Sequence, residues 1–502
     1  MTGHRRDSGT AGPGRRWLFA DQLGPHFLDA KDQPVLLIES RAAFARRPVH
    51  RRKAHLLLSA LRHRAAELGD QARFVQAGSY RQALRQVRGP LTVCWPTSRA
   101  AAEFVRQQER VRVLGPRGFA TRPEDFEAWA RTRARRRLLL EDFYRDARAR
   151  LDVLMDDGRP AGGRWNFDAD NREPPPAAGL DLPPPWRPAE DEIDEQVRAD
   201  LDAWQRAGQV RLTGRDGPRE FPVTRAEARA SLRAFVRHRL PVFGTYQDAM
   251  VSADPVLAHS QLSPALNLGL LDPMECVRAA EDAYRAGQVP LNSAEGFIRQ
   301  LIGWRDYVWH LYWHQGQGYR RRNALAARRT LPGWFAGLDA GAVSARCLSD
   351  ALAQVRDHGY AHHIVRLMVL GNYALQRGFA PAAVTDWFRE SFVDGYDWVM
   401  VPNVIGMSQH ADGGVLATKP YAGGGAYISR MSDYCGDCRY DPRRRLGPDA
   451  CPFTAGYWAF LDRHAGRFAA SPRMARQVSA ARRLPDLAQV ADQERHRGSA
   501  AP

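Results

Sequence analysis

Four cysteines and a pair of adjacent histidines carry the most specific chemistry in this sequence. Cys435 and Cys438 form a C-x-x-C pair, Cys451 follows after twelve intervening residues, and Cys347 lies far upstream at the start of a helical pattern. Four thiolates suit tetrahedral zinc or an iron–sulfur cluster, and spacing alone does not separate the two. In a chain of this size clustered cysteines point to metal or redox chemistry rather than to a disulfide framework. Cys94 and Cys276 lie in apolar or helical surroundings and read as packing residues. His362 and His363 precede Arg366 on another helical pattern, and paired histidines can shuttle protons near neutral pH. Ser263-Pro264 reads as a helix start whose free N–H groups could hold a phosphate. Glu295 and Arg305 share one helical pattern with Phe297, Trp304 and Trp309, and inward-facing charge among aromatics favours a ligand there. The glycine run at 423–425 suggests backbone shaped for close approach.

The elements that must position these residues fall into two kinds. Short apolar runs at 17–20, 35–38, 73–75 and 91–93 read as strands, alternating with helical patterns at 55–68 and 80–87. That alternation predicts a parallel sheet with helices on both faces, an α/β domain over residues 17–130. Ligands of such sheets sit at the carboxyl ends of strands, where Asp21, Gln22 and Glu39 lie. A long helix is predicted over 132–155, and the proline-dense stretch 173–188 reads as an extended linker, so that 131–190 joins two domains. Beyond residue 190 the periodicity is helical throughout, with predicted helices at 226–240, 272–286, 294–313, 345–358, 362–377 and 382–392. The fold class expected is therefore α/β followed by a large all-α domain over 191–482. Residues 1–16 are expected to be a disordered basic tail and 483–502 a frayed C-terminal tail.

Of 502 residues, 44% are hydrophobic and 26% charged, ordinary values for a globular protein. No apolar run approaches the roughly 18 residues a membrane span needs. No membrane partner is expected, and a cytoplasmic monomer is the default. The formal charge of +17 is almost all arginine, lysine occurring only at 31, 53 and 419. An excess of this size favours phosphate-rich partners.

Taken together these residues resemble one family, the iron–sulfur bacterial cryptochromes and photolyases, whose characterised members include prokaryotic (6-4) photolyases. The resemblance covers nearly the whole chain and is most specific at 162–172, 295–305, 360–368, 402–414 and 419–453. It implies FAD folded within the helical domain, with Ser260, Leu262, Ser263 and Asn267 at its phosphates and ribityl chain. Glu295, Phe297, Trp304 and Arg305 would line the same pocket, Arg366 and Asp394 would pair beside the isoalloxazine, and Asn403 would lie near its reactive nitrogens. Cys347, Cys435, Cys438 and Cys451 would bind a [4Fe–4S] cluster. Asp21, Gln22 and Glu39 match positions near a 6,7-dimethyl-8-ribityllumazine antenna. The activity implied is light-driven repair of (6-4) photoproducts in ultraviolet-damaged DNA. His363 would be general acid, His362 would support it, Tyr421 would line the lesion pocket, and Trp387 and Trp398 would relay electrons. The chain departs from the family in a longer segment at 331–337 bearing Trp334, and in Phe388 where a tyrosine can occur. The electron route is therefore expected to differ. The alternatives are a blue-light photoreceptor of the same fold without repair, and an iron–sulfur nucleic-acid-binding module without photochemistry.

Overall fold

The structure, a computed structural model, describes residues 14–133, 137–177, 179–252 and 254–502. The predicted disordered tail over 1–16 lies, up to residue 13, outside the described residues; at its end it is overturned, since the first strand starts at Arg15 and Arg16 is wholly buried.

The sheet is parallel and five-stranded, in the order Ala72–Ala77, Val35–Ser40, Arg15–Leu18, Leu91–Cys94, Val111–Leu114. Four of these strands are the predicted ones. The fifth, Val111–Leu114, is a short, half-exposed edge strand with Arg112 outward, too brief and too polar to announce itself. Side chains alternate between faces, as the two-residue period of a strand requires. Leu18 and Leu37 point into a core shared with the helical region, whereas Trp17, Leu36, Ile38 and Val93 pack on the opposite face. The first of these cores runs without a break from the sheet through Leu56 to Phe235, Phe297 and Ile302. The chain order reverses between Arg15–Leu18 and Leu91–Cys94, which places a ligand crevice at the carboxyl ends of those two strands.

Of the helix predicted over 132–155, the described residues hold only Leu140–Leu151, the preceding helix Pro123–Arg131 ending before that stretch. Leu140–Leu151 stops where Asp152 adopts a left-handed conformation (φ 53°), and the buried Arg148 guanidinium donates to the carbonyls of Val153, Leu154 and Trp165. Those bonds turn the chain back on itself, a tertiary cause that no periodicity shows. Among the described residues of 173–188 there is no helix or strand. From Glu192 onward the architecture is helical apart from the two-residue pairing of Leu212–Thr213 with Val49–His50.

The expected C-terminal tail is overturned. Leu487–Arg497 is a helix lying against Pro452–Arg463, and Val490 is wholly buried. Glu494 forms a buried ion pair with Arg377 and is also contacted by Arg497 at 3.1 Å. The helix is polar around most of its surface, and what holds it is long-range, the Arg377–Glu494 pair and the bonds of Gln493 to the segment 445–447, so composition alone reads as a tail. Removing one partner of a buried ion pair leaves the other charge without compensation, at about 3–5 kcal/mol. Glu494→Ala is accordingly expected to lower the melting temperature by several degrees, measured by far-ultraviolet circular dichroism.

Three stretches of the helical region widen from α to π geometry: Arg299–Arg305, Val365–Gly371 and Pro402–Ser408. Single π turns inside helices are costly and cluster at functional sites. All three carry residues singled out above: Trp304 and Arg305, Arg366, and Asn403. Gly371 joins two of them, since a Cβ there would lie 2.3 Å from the Ser408 hydroxyl.

Candidate functional site

The helical region holds its candidate pocket through one ion pair. Arg366 donates both terminal nitrogens to Asp394, at 2.8 and 3.0 Å, with the carboxylate almost wholly buried. Ser263 Oγ donates to the same carboxylate at 2.6 Å, and Asn267 donates to the Asp394 carbonyl at 3.2 Å. The helix that Ser263 opens is a single turn, Ser263–Asn267, so its hydroxyl serves Asp394 rather than a long helix N-terminus. Ser260 Oγ accepts from the Leu262 backbone at 3.3 Å, and Leu262 itself is core.

Across from this, Trp304 donates its indole N–H to Asn403 Oδ1 at 3.0 Å, and Asn403 donates to the Val399 carbonyl at 2.8 Å. Arg305 lies over Phe119 and Trp398, donates to the Gly118 carbonyl at 2.8 Å, and keeps its Nε without a partner. Burial pulls its guanidinium down to about 10. Glu295 is fully buried. It accepts from the Phe167 backbone N–H at 3.0 Å, leaving Oε1 without a hydrogen bond, and burial raises its pKa. Phe297, expected to line the pocket, packs against Phe235 and Phe243. Trp387 is buried against Phe335 at 4.7 Å and Phe392, whose ring carries the Arg366 guanidinium at 4.3 Å. Trp398 is buried on the other side, against Phe119 and Trp309.

The two predicted histidines differ in setting. His363 is half exposed, its Nε2 3.8 Å from Asp248 Oδ1. His362 is buried with Nδ1 unpartnered, and burial holds it well below the usual imidazole pKa. Tyr421 is 37% exposed, the one large apolar side chain so open among the described residues. The charges of Asp168, Arg172, Asp248 and Arg299 act on it, and Asp248 also lies 3.8 Å from His363. Sequence reasoning missed Asp248, and it missed His259, a third imidazole stacked on His362. The histidine stands in the stretch 259–264, which reads by its hydroxyls; nothing local marks it.

The four clustered cysteines line one pocket together with Gly425, Ile428, Tyr434 and Phe453. Cys347 sits in the first turn of Arg346–His358, and Cys451 caps Pro452–Arg463. Gly425 must be glycine, because a Cβ there would lie 2.8 Å from Cys451 Sγ and 2.6 Å from Thr454 Oγ1. The glycine run thus brings backbone up to a thiol. Burial and the other three thiols push Cys347 well up, and Cys435 rises to about 11, so the set accepts negative charge only with a cation to offset it. Two groups among the described residues bring three or more ligand atoms within 4.8 Å of one another, and neither contains a cysteine. A tetrahedral zinc, with bonds of about 2.3 Å, would hold its sulfurs about 3.8 Å apart. The sulfurs stand wider than one zinc ion needs.

At the sheet, Asp21 accepts a short hydrogen bond from Thr97 Oγ1, across the crevice between the strands Arg15–Leu18 and Leu91–Cys94. Gln22 donates to the carbonyls of Cys94 and Trp95, its buried Oε1 left without a partner. Glu39 offers no free carboxylate. Both its oxygens accept from Arg62 at 2.8 Å, and Gln76 adds a third bond. Burial raises Asp21 to about 6. An acid whose folded pKa lies above its unfolded value costs stability as pH rises from about 4 to about 6. Asp21→Asn is expected to flatten the melting temperature across that window and to raise it above pH 6, by differential scanning fluorimetry.

A (6-4) photolyase of Agrobacterium fabrum is 40% identical over 489 residues, covering 91% of this chain and 93% of that protein. The chain belongs to the (6-4) photolyase family. The family model described as deoxyribodipyrimidine photo-lyase-related protein matches residues 16–210. Among solved structures, a class III photolyase from Agrobacterium tumefaciens shares the fold at a TM-score of 0.54 and 18% identity, over 85% of this chain and 88% of that one. A Synechocystis cryptochrome does so at 0.55 and 14%, over 97% and 99%. The photolyase fold of this chain is thus shared more widely than its sequence. No helix among the described residues is long and apolar enough to cross a membrane.

Proposed function

We propose that this chain is a light-driven lyase that repairs (6-4) pyrimidine photoproducts in DNA. The observation that carries the reading is the half-exposed His363, 3.8 Å from Asp248, in a chain so similar to a (6-4) photolyase. A photoproduct must leave the base stack to reach such a histidine, and the lesion's own disruption of stacking lowers that cost. The charge of +17 supplies phosphate affinity without sequence preference, weakening as salt rises. His363 donates a proton to the oxygen group being transferred, with Asp248 orienting its ring. Tyr421 walls the lesion, and buried His362 stays neutral behind the acid.

The pocket fits FAD. Arg305 Nε is a buried polar atom with an unfilled hydrogen bond, as a phosphate- and hydroxyl-rich ligand would need. Ser260, Leu262, Ser263, Asn267, Trp304, Arg305, Arg366, Asp394 and Asn403 would hold it. When bound and reduced, FAD supplies the light-excited electron. Trp387 and Trp398 are buried aromatic neighbours suited to relaying electrons. The four cysteines fit a [4Fe–4S] cluster better than zinc by their spacing, and iron and acid-labile sulfide are expected in equal amounts on analysis of the purified protein, with zinc below stoichiometry. Asp21 and the unfilled Gln22 Oε1 support a lumazine antenna at the sheet crevice. The reading is tested by following (6-4) photoproducts in ultraviolet-damaged oligonucleotides with reduced protein: loss in blue light and none in the dark is expected. Persistence of the photoproduct in light would leave a photoreceptor of the same fold.

A further inference from the structure

His259, His362 and His363 bring one nitrogen each within 4.8 Å of the other two. The three differ in how they are held. The buried His259 ring has Nδ1 3.0 Å from the Val256 carbonyl and Nε2 3.0 Å from the Gln247 carbonyl. The neutral ring carries one N–H, so one of the two carbonyls accepts a hydrogen bond from it and the other only faces the opposite edge. His362 lies face to face on it, ring centroids 4.1 Å apart at 12°, and has no hydrogen bond at its buried Nδ1. His363 meets the edge of His259 at 5.3 Å and 65°.

We infer that His259 is a positioning residue of the acid site, a buried aromatic platform that fixes the His362 ring and, through it, the histidine that delivers the proton. A ring with one unpartnered nitrogen has little besides stacking to set its angle. The His362 ring takes its orientation from the buried ring face stacked on it. One short segment touches both functions: the Gln247 carbonyl lies against His259 Nε2, and the next side chain, Asp248, faces His363. The other groups facing these rings are Phe243, against His259, and the Arg366 cation, on the His362 side. Both ring nitrogens of His259 lie 3.0 Å from main-chain carbonyls in the interior, so neither is placed to exchange a proton with a substrate. Burial, and the positive charge of a protonated His363, hold His259 down at about 3, in keeping with that passive role.

The inference rests on the repair reading, and its test separates the two. In the flavin-loaded, reduced protein, His259→Ala is expected to slow repair about 10- to 100-fold, within the range of a misplaced general acid, at unchanged affinity for the lesion-bearing oligonucleotide. His259→Phe keeps a ring beneath His362 and is expected to recover most of the rate. The pH at which the rate falls to half stays the same in His259→Phe as in the parent chain. Histidine-labelled NMR of the dark protein reads the platform without turnover: the His362 ring signals stay sharp in the parent and in His259→Phe, and broaden in His259→Ala. Parental repair by His259→Ala, a His259→Phe variant as slow as His259→Ala, or an altered pH midpoint in His259→Phe would each overturn it. Should the parent chain itself fail to repair, the functional proposal falls, and the NMR comparison still decides whether His259 holds His362.

Discussion

His363→Ala is expected to lose light-driven repair by about 10²- to 10⁴-fold, the contribution usual for a positioned general acid. Flavin content and lesion affinity should be nearly unchanged. The reason is in the setting of the ring. His363 is half exposed, touches Asp248 at 3.8 Å, and makes no contact with the Arg366–Asp394 pair that would hold the cofactor. Its loss removes a proton donor and leaves the pocket intact. His362→Ala should behave differently, because His362 is buried and stacked on His259. Removing it opens a cavity and lowers stability as well as rate. Single-turnover repair measured beside a thermal melt for each variant separates a chemical loss from a structural one.

Asp394→Ala carries the second large effect, and it falls on folding and flavin together. The Asp394 side chain is 6% exposed and that of Arg366 16%, and the two are joined by paired hydrogen bonds at 2.8 and 3.0 Å. Deleting the carboxylate leaves a guanidinium among Phe392, Tyr360 and the Ala361 carbonyl with no counter-charge. The cost for such a pair is about 3–5 kcal/mol. Ser263 loses its acceptor in the same step, whereas Asn267, which donates to the main-chain carbonyl of residue 394, keeps its own. The variant is expected to leave a desalting column nearly free of flavin absorbance and to melt at a markedly lower temperature. Asp394→Asn, which keeps one acceptor but no charge, should fall between it and the parent.

What could be read in the sequence was what sits close together along the chain. The C-x-x-C pair, His362-His363 and the run from Glu295 to Arg305 are local patterns, legible without any distant partner. The strands announced themselves by unbroken apolar runs, as Val35–Ser40 does with every residue buried. What escaped depends on partners far away in sequence. Glu39 looked like a free acceptor at a strand end, but Arg62, on the following helix, takes both its oxygens. The helix Leu487–Arg497 looked like a tail because its anchor, Arg377, lies more than a hundred residues earlier. Phe297 looked like a pocket wall, and whether an aromatic on such a helix faces ligand or core is settled only by Phe235 and Phe243 across from it. His259 carried no signal of its own, since a histidine among hydroxyls is ordinary until two carbonyls and a second imidazole close around it.

Chromatographic recovery of intact dinucleotide from two defined oligonucleotides, one bearing a (6-4) photoproduct and one a cyclobutane dimer, tests the account most directly. With the flavin fully reduced and blue light on, the bases of the (6-4) substrate should be restored while the dimer persists, and neither should change in the dark. Recovery from the dimer alone, or from neither, would contradict the account.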